Sequence, residues 1–396
     1  MLIAVARETR PGEARVALVP ELVATLTAAG YRVGVQPGAG DAAGFADHAY
    51  LAKGAELLTG QPADIGLVLG VQPAEPDALR DLSPGTATIS FFSPGQLLVD
   101  VALRRDLGLT TFAMDLVPRI SRAQSMDALT SQSLVAGYRA AVVAAGRLRQ
   151  FFPLSMTAAG TIPPAQVVVL GAGVAGLQAI ATARRLGAVV KAYVVRPSSA
   201  EEIRSMGAVA IDLDLPTLEG SGGYAREMSE DRARRQQELL APYVAAADAL
   251  ITTAAVPGRP APLLVTAEMV AAMRPGSVVV DLAADSGGNV EGIVAGQAVQ
   301  VGGVQLWGGA NVPSQMPGPA SRLYAHNVVN VVQLMTREGS FAPDFADEIV
   351  AGACVTHRGE VRHAPTAALL EGARAAVGLT DQAAPTDQPG SEKGTL

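Results

Sequence analysis

The chain has 396 residues and a formal charge of −7, from 30 Lys and Arg against 37 Asp and Glu. At roughly 150 residues per domain that allows two to three domains with ample core, and the mild acidity argues against a nucleic-acid partner. A single cysteine, Cys354, excludes an intramolecular disulfide and a cysteine zinc cluster, and His48, His326, His357 and His363 fall in no metal-binding spacing.

Mean hydropathy is positive, at +0.27, yet no run approaches the roughly 18 apolar residues of a spanning helix. The apolar residues are therefore expected in a soluble core. Met1-Leu2-Ile3-Ala4-Val5-Ala6-Arg7-Glu8 has no basic n-region and turns charged too early for a signal peptide, so the chain reads as cytoplasmic, with Cys354 an inert buried thiol. With 42 Gly and 26 Pro against 4% aromatic and 17% charged residues, the profile is that of short, tightly turned apolar segments in an α/β protein.

Leu2 to Ala6 reads as a strand, Pro20 to Ala29 as a helix and Tyr31 to Val35 as a strand, a βαβ opening. Ile65 to Val71, Thr86 to Phe92 and Thr110 to Ala113 are further buried strands. From Ser125 to Gln150 the pattern becomes a long amphipathic stretch without internal Pro, a helix linking two lobes. A Pro- and Gly-punctuated connector, Phe151 to Pro164, follows. Strands are then expected at Val167 to Leu170, Val189 to Val195, Val209 to Leu213, Ala249 to Thr253, Ser277 to Leu282 and Val304 to Leu306, with helices between most of them. Residues 320 to 335 are again helical, and alternation continues to 378. The economical architecture is α/β, two doubly wound parallel-sheet, Rossmann-like lobes joined by long helices. One lobe is discontinuous, residues 1–124 with 320–380; the linking helix is 125–150, the second lobe 151–319, and the polar tail 381–396 is expected to be disordered.

The strongest local motif is Gly171-Ala172-Gly173-Val174-Ala175-Gly176, directly after a strand and opening a helix through Leu186. In that setting Gly171 permits the tight turn, Gly173 lets a pyrophosphate approach the backbone at a helix N-terminus, and Gly176 lets helix and strand pack closely. The partner of this motif is a carboxylate at the end of the next strand, about 20 residues on, to hold the ribose hydroxyls. Val194, eighteen residues after Gly176, stands there instead. Either selectivity is altered, with Arg196 near a 2′-phosphate, or the site's other contacts suffice.

A second constellation, Arg119 to Thr130, concentrates guanidiniums, an amide, a carboxylate and hydroxyls in a turn entering the linking helix. An N-cap accounts for Ser125 or Asp127 but leaves Arg119, Arg122 and Gln124 unexplained. The glycine-rich Gly220-Ser221-Gly222-Gly223-Tyr224, before a charged helix through Gln236 and Gln237, reads equally as a flap or as a plain surface loop. Thr252 to Gly258 and Asp281 to Asn289 each follow the carboxyl end of a strand, where α/β sheets place ligands.

Together these segments resemble the NAD(H)-binding α subunit (domain I) of proton-translocating NAD(P) transhydrogenases, in the alanine dehydrogenase/transhydrogenase superfamily. The resemblance runs to about residue 370, through Arg15 to Pro20, Arg119 to Thr130, Met156 to Thr161, Gly171 to Gly187, Gly222-Gly223-Tyr224, Ile251 to Pro257 and Gly287-Gly288-Asn289. It implies an oxidoreductase that binds NADH in the second lobe, with pyrophosphate at Val174, Ala175 and Gly176, beside Gly171 and Gly173 of the same motif, and adenosine near Val194 and Arg196. Arg119, Ile120, Ser121, Arg122, Gln124, Asp127 and Thr130 match the family's loop at the nicotinamide end. Gly223, Tyr224 and Gln236 match its mobile-loop region, and Ala255 a loop near the cofactor. The family usually has Asp at the position of Val194 and Ser at that of Thr130.

Alanine dehydrogenase shares the fold but needs proton-transferring Lys and His residues; Val71-Gln72-Pro73 and Ile89 to Pro94 supply neither. Direct ring-to-ring hydride transfer needs only positioning groups. The resemblance therefore implies a homodimer, peripheral on the inner face of a membrane, transferring hydride to NADP(H) bound on a partner subunit of a membrane-embedded, proton-translocating complex.

Overall fold

The computed structural model describes residues 1–60, 62, 64–195, 199–213, 215, 230–255 and 259–376. The expected tail at 381–396, Arg196, Gly223 and Tyr224 lie outside the described residues. The chain opens with β1 (Leu2–Val5), α1 (Pro20–Ala28), β2 (Arg32–Val35), α2 (Asp47–Leu51), β3 (Glu56–Leu57), β4 (Ile65–Leu69), α3 (Pro76–Arg80), β5 (Ala87–Ser90), α4 (Leu98–Asp106) and β6 (Thr110–Ala113). These strands run parallel in the order β6-β5-β4-β1-β2-β3. Period-two alternation turns Ile3, Val5, Leu67, Leu69 and Ile89 into one buried core. Each such fully buried aliphatic side chain contributes about 1.5–3 kcal/mol.

The linking helix α5 (Ala128–Arg147) starts where Asp127 caps it, later than Ser125, because a 3₁₀ turn occupies Ser121–Met126. The connector expected after it is a small exposed hairpin, β7 (Ser155–Thr157) with β8 (Gly160–Ile162). Next come β9 (Gln166–Leu170), α6 (Val174–Arg185), β10 (Val189–Tyr193), α7 (Ser199–Ser205), β11 (Val209–Ile211), α8 (Glu230–Ala245), β12 (Ala249–Thr252), α9 (Ala267–Ala271), β13 (Val278–Asp281), β14 (Ala298–Val301) and β15 (Val304–Gly308). Their sheet runs β11-β10-β9-β12-β13-β15-β14, parallel except for the antiparallel edge β14. β9 is buried on both faces, Val167 and Val169 toward α6 and Val168 and Leu170 toward α8, which explains its unbroken apolar run.

The chain then returns through α10 (Pro317–Leu334), a hairpin β16 (Thr336–Arg337) with β17 (Ser340–Phe341), α11 (Glu348–Ala353), β18 (Cys354–His357), β19 (Glu360–Val361) and α12 (Ala364–Ala376). β18 adds antiparallel to β6, giving the first sheet eight strands. Cys354 is fully buried there, and burial pushes its thiol up to about 12. The architecture is two doubly wound α/β sheets joined by long helices. Among the described residues no helix is long and apolar enough to cross a membrane.

Buried polar bonds tie the two sheets together. The Glu13 carboxylate accepts from Arg15, Gln72, Asn311 and Ser314, and Arg15 also donates to Gln132 on α5 and to Asn311. Arg15 and Glu13 pair at 2.7 Å with side chains 4% and 1% exposed. A pair so buried tolerates its desolvation only because its remaining donors and lone pairs are matched.

Candidate functional site

The glycine motif forms the turn its spacing predicts. Gly171 has φ +112°, a conformation that disfavours any side chain. A Cβ on Gly176 would overlap the Gly171 carbonyl oxygen, so the close approach of α6 to β9 requires glycine there. Gly173 begins α6 with no side-chain cap, and its α-carbon faces open space, with no heavy atom within 4 Å of where a Cβ would be. Gly173 and Val174 are exposed and Ala175 is half-buried. The uncapped first N–H groups of α6 and the positive end of its dipole therefore open onto solvent beside a bare backbone, a cradle that fits an anionic pyrophosphate.

One close contact is not legible in the motif. A Cβ on Gly137 of α5 would overlap the carbonyl oxygen of Ala175, so glycine in mid-helix lets α5 lie directly against the first turn of α6. A lone Gly in an otherwise regular helix is the available signal.

The first turn of α5 closes the second half of the site. A cavity of about 420 Å³ is lined by Pro118, Arg119, Ile120, Ser121, Ala123, Gln124, Asp127 and Thr130. Asp127 accepts from the Thr130 N–H at 2.9 Å and from its hydroxyl at 2.6 Å, which fixes both side chains at the cavity wall. Arg119 and Gln124 are exposed at the rim. Arg122 departs from the expected set. Its Nη1 and Nη2 donate to Asp347 at 2.7 and 3.1 Å, beside Glu348 at 3.6 Å, and it does not line the cavity. A carboxylate pair at the N-terminus of α11 holds this guanidinium away, and its bonds in turn hold the Asp347 carboxyl below the usual range.

Thr130 and Gly137 are seven residues apart on one helix, about 10 Å along its axis. The cavity and the anion cradle are thus held at fixed spacing by a rigid element.

At the adenosine side, Val194 follows β10 half-buried, packed on the core beneath α6. Among the described residues no carboxylate directly follows β10. Gln236 is on α8, 1% exposed, and its amide oxygen accepts from the Tyr193 hydroxyl at 3.1 Å. Ala255 is exposed just beyond β12. Its neighbour Ala254 is held by Asn289, which accepts from the Ala254 N–H at 2.9 Å and donates to the Ala254 and Pro262 carbonyls at 2.7 and 2.8 Å. Asp281, its carboxyl raised by burial, accepts in turn from the N–H groups of Ala283, Asn289 and Val290. The two post-strand segments form one locked wall. Among the described residues no cluster of His, Cys, Asp and Glu could hold a metal ion.

Family profiles match nearly the whole chain: the alanine dehydrogenase/PNT N-terminal domain over residues 4–136 and the alanine dehydrogenase/PNT C-terminal domain over residues 140–364. An alpha-subunit chain of the NAD(P) transhydrogenase of Rhodospirillum rubrum is 42% identical over 380 residues, covering 92% of this chain and 98% of that one. A transhydrogenase structure from Sinorhizobium meliloti superposes with a TM-score of 0.81 at 41% identity, covering 92% of this chain and 99% of that one. An L-alanine dehydrogenase structure superposes almost as well, at 0.80 over 94% and 99% of the two chains, but at 26% identity. The shared fold does not separate the two kinds of relative, whereas the identity does.

Proposed function

Because the chain belongs to the alanine dehydrogenase/PNT family, among the alpha subunits of NAD(P) transhydrogenase, we propose that it binds NADH and passes hydride directly to NADP⁺ held by a partner subunit. The observation that carries this reading is the pairing of an open anion cradle at the N-terminus of α6, packed against Gly137 of α5, with a cavity at Thr130 of the same α5. Gly171, Gly173, Val174, Ala175 and Gly176 would take the pyrophosphate through backbone N–H groups. Arg119, Gln124, Asp127 and Thr130 would orient the nicotinamide end, with Ile120 and Ser121 as flanking wall. Val194 and Ala255 would flank the adenosine half, with Gln236 behind them bonded to Tyr193, and Arg196, Gly223 and Tyr224 are assigned to it by resemblance alone. When bound, the dinucleotide supplies the hydride, and the protein's role is to hold its ring at near-contact distance with no proton to move.

We divide the chain into a first lobe, 1–124 with 320–380, the linking helix 125–150, and a NAD(H)-binding lobe, 151–319. The NADP(H) site and the proton path belong on this reading to membrane-embedded partner subunits, against which the chain docks peripherally. A homodimer is supported by the apolar hairpin: Leu154, Met156 and Ile162 are 53%, 72% and 41% exposed, an arrangement suited to burial against a second copy.

Amino-acid oxidation is disfavoured because Val71-Gln72-Pro73 and Ile89 to Pro94 hold no Lys or His to transfer a proton, and Gln72 is engaged as a donor to Glu13 at 2.8 Å. Purified chain mixed with an NADP(H)-binding component should reduce an NADP⁺ analogue at the expense of NADH. Alone it should turn over no pyruvate, ammonia and NADH. Absence of transfer in the mixture, or pyruvate turnover by the chain alone, contradicts the proposal.

A further inference from the structure

The outer face of the first sheet holds a cavity that the dinucleotide site does not use. β2 and β4 flank β1 on opposite sides, so the winding of the sheet reverses there. Doubly wound sheets bind ligands outside the carboxyl ends of strands at such a reversal. Alternation places small side chains on this face, Ala4 and Ala6, Gly70, Thr88 and Ser90, while the larger residues between them fill the opposite core. The space left is about 350 Å³, walled further by Ile65 and Leu82.

The charges lining it are three guanidiniums, Arg7, Arg10 and Arg104, and three carboxylates, Glu8, Glu75 and Asp77, and they are not matched pair for pair. Arg104 of α4 lines the floor with its side chain 1% exposed, and its Nε–H finds no acceptor. Its other nitrogens donate to Thr88 Oγ1 and the Ala74 carbonyl, both at 3.2 Å, and the Asp100 carboxylate is 4.0 Å away. At the rim Arg10 pairs with Glu75 at 3.5 Å and Asp77 with Arg80 at 3.0 Å. Arg7 forms no ion pair among the described residues. Glu8 accepts from the N–H groups of Val71 and Gln72, and burial raises its carboxyl to about 7, so much of its charge is absent near neutrality. The buried Arg104 Nε–H, a donor without an acceptor, favours entry of a group that supplies one.

We propose that this cavity binds a small organic monocarboxylate, its carboxylate toward Arg104, Arg7 and the Ser90 hydroxyl and its branched or aromatic hydrocarbon body against Ala4, Ile65 and Leu82. The test titrates 3-methylbutanoate into the full chain by calorimetry and saturation-transfer NMR, beside the isosteric 3-methylbutanamide and 3-methylbutylamine. The carboxylate should bind saturably and about tenfold more tightly than the amide, the scale of one charged hydrogen bond. Ala6→Leu, which fills the mouth, should abolish that binding while keeping the thermal transition of the wild type. No saturable binding, equal binding of the amide, tighter binding of the amine, or unchanged binding in Ala6→Leu would each overturn the proposal. The ligand series decides the matter even if Ala6→Leu fails to fold.

Discussion

Gly173 is where the demands of a ligand and of the fold can be separated. Its φ of −81° suits any residue and nothing crowds its missing Cβ. Gly173→Ala should therefore cost under about 1 kcal/mol of stability, as an N-cap change, while lowering NADH affinity by tenfold or more through collision with the pyrophosphate. Unchanged NADH affinity in a calorimetric titration would show that the cradle is not the binding site. Val194 poses the converse question. Val194→Asp should raise NADH affinity by adding one or two charge-assisted bonds to the ribose, about 1.5–3 kcal/mol each before desolvation. Equal affinities for wild type and variant would place the ribose elsewhere. Glu8 carries a pH signature. Its folded carboxyl titrates at about 7 against an ordinary 4.5, so the folded state binds the proton more tightly than the unfolded state. The stability that Glu8 contributes is therefore fully present below pH 4.5 and is lost as pH rises through about 7. Denaturant midpoints of Glu8→Gln should lose that decline between pH 5 and 8; an identical slope in the variant would rule the effect out.

At the scale of elements, α5 decides the geometry of the site. Gly137→Val should drive α5 and the first turn of α6 apart, because the added Cβ meets the Ala175 carbonyl oxygen. We expect a loss of about 1–3 kcal/mol in stability, as for overpacking, together with weaker NADH binding than Gly173→Ala retains. A variant with wild-type stability and affinity would mean that the helices are not coupled. This contact also marks the limit of what the residues disclose. The glycine turn, the linking helix and the Arg119 to Thr130 cluster are legible because each follows a local rule: spacing, periodicity, or a cap three residues before its N–H donor. Arg122 breaks from its cluster because its partner Asp347 is 225 residues away, and Gly137 is illegible because its neighbour lies on another helix. β3, β14, the hairpin β7–β8 and the β18–β19 addition escape for a different reason. They are short, edge or exposed strands whose pairing, and not their own apolar pattern, defines them.

At the scale of the molecule, two sheets that could each bind a ligand alone are clamped around α5 and α10 by the Glu13–Arg15 network. Arg15 reaches Gln132 on α5 at 2.9 Å and Asn311 of the second lobe at 3.1 Å, and Ser131 of α5 donates to Asn327 of α10 at 2.7 Å. A rigid frame of this kind suits a reaction limited by placement, since a misplacement of about 1 Å can cost a hundredfold in rate. It also fits a cavity walled by Arg119, Gln124, Asp127 and Thr130, groups that can position a bound ring. The central claim is that hydride passes from ring to ring without exchange. The decisive measurement follows NADH deuterated at both C4 positions, in the chain reconstituted with an NADP(H)-binding component in ordinary water, by mass spectrometry of the nicotinamide products. We expect one deuterium in every NADPH formed. Solvent hydrogen at that position, or NADPH formed without the label, would contradict direct transfer.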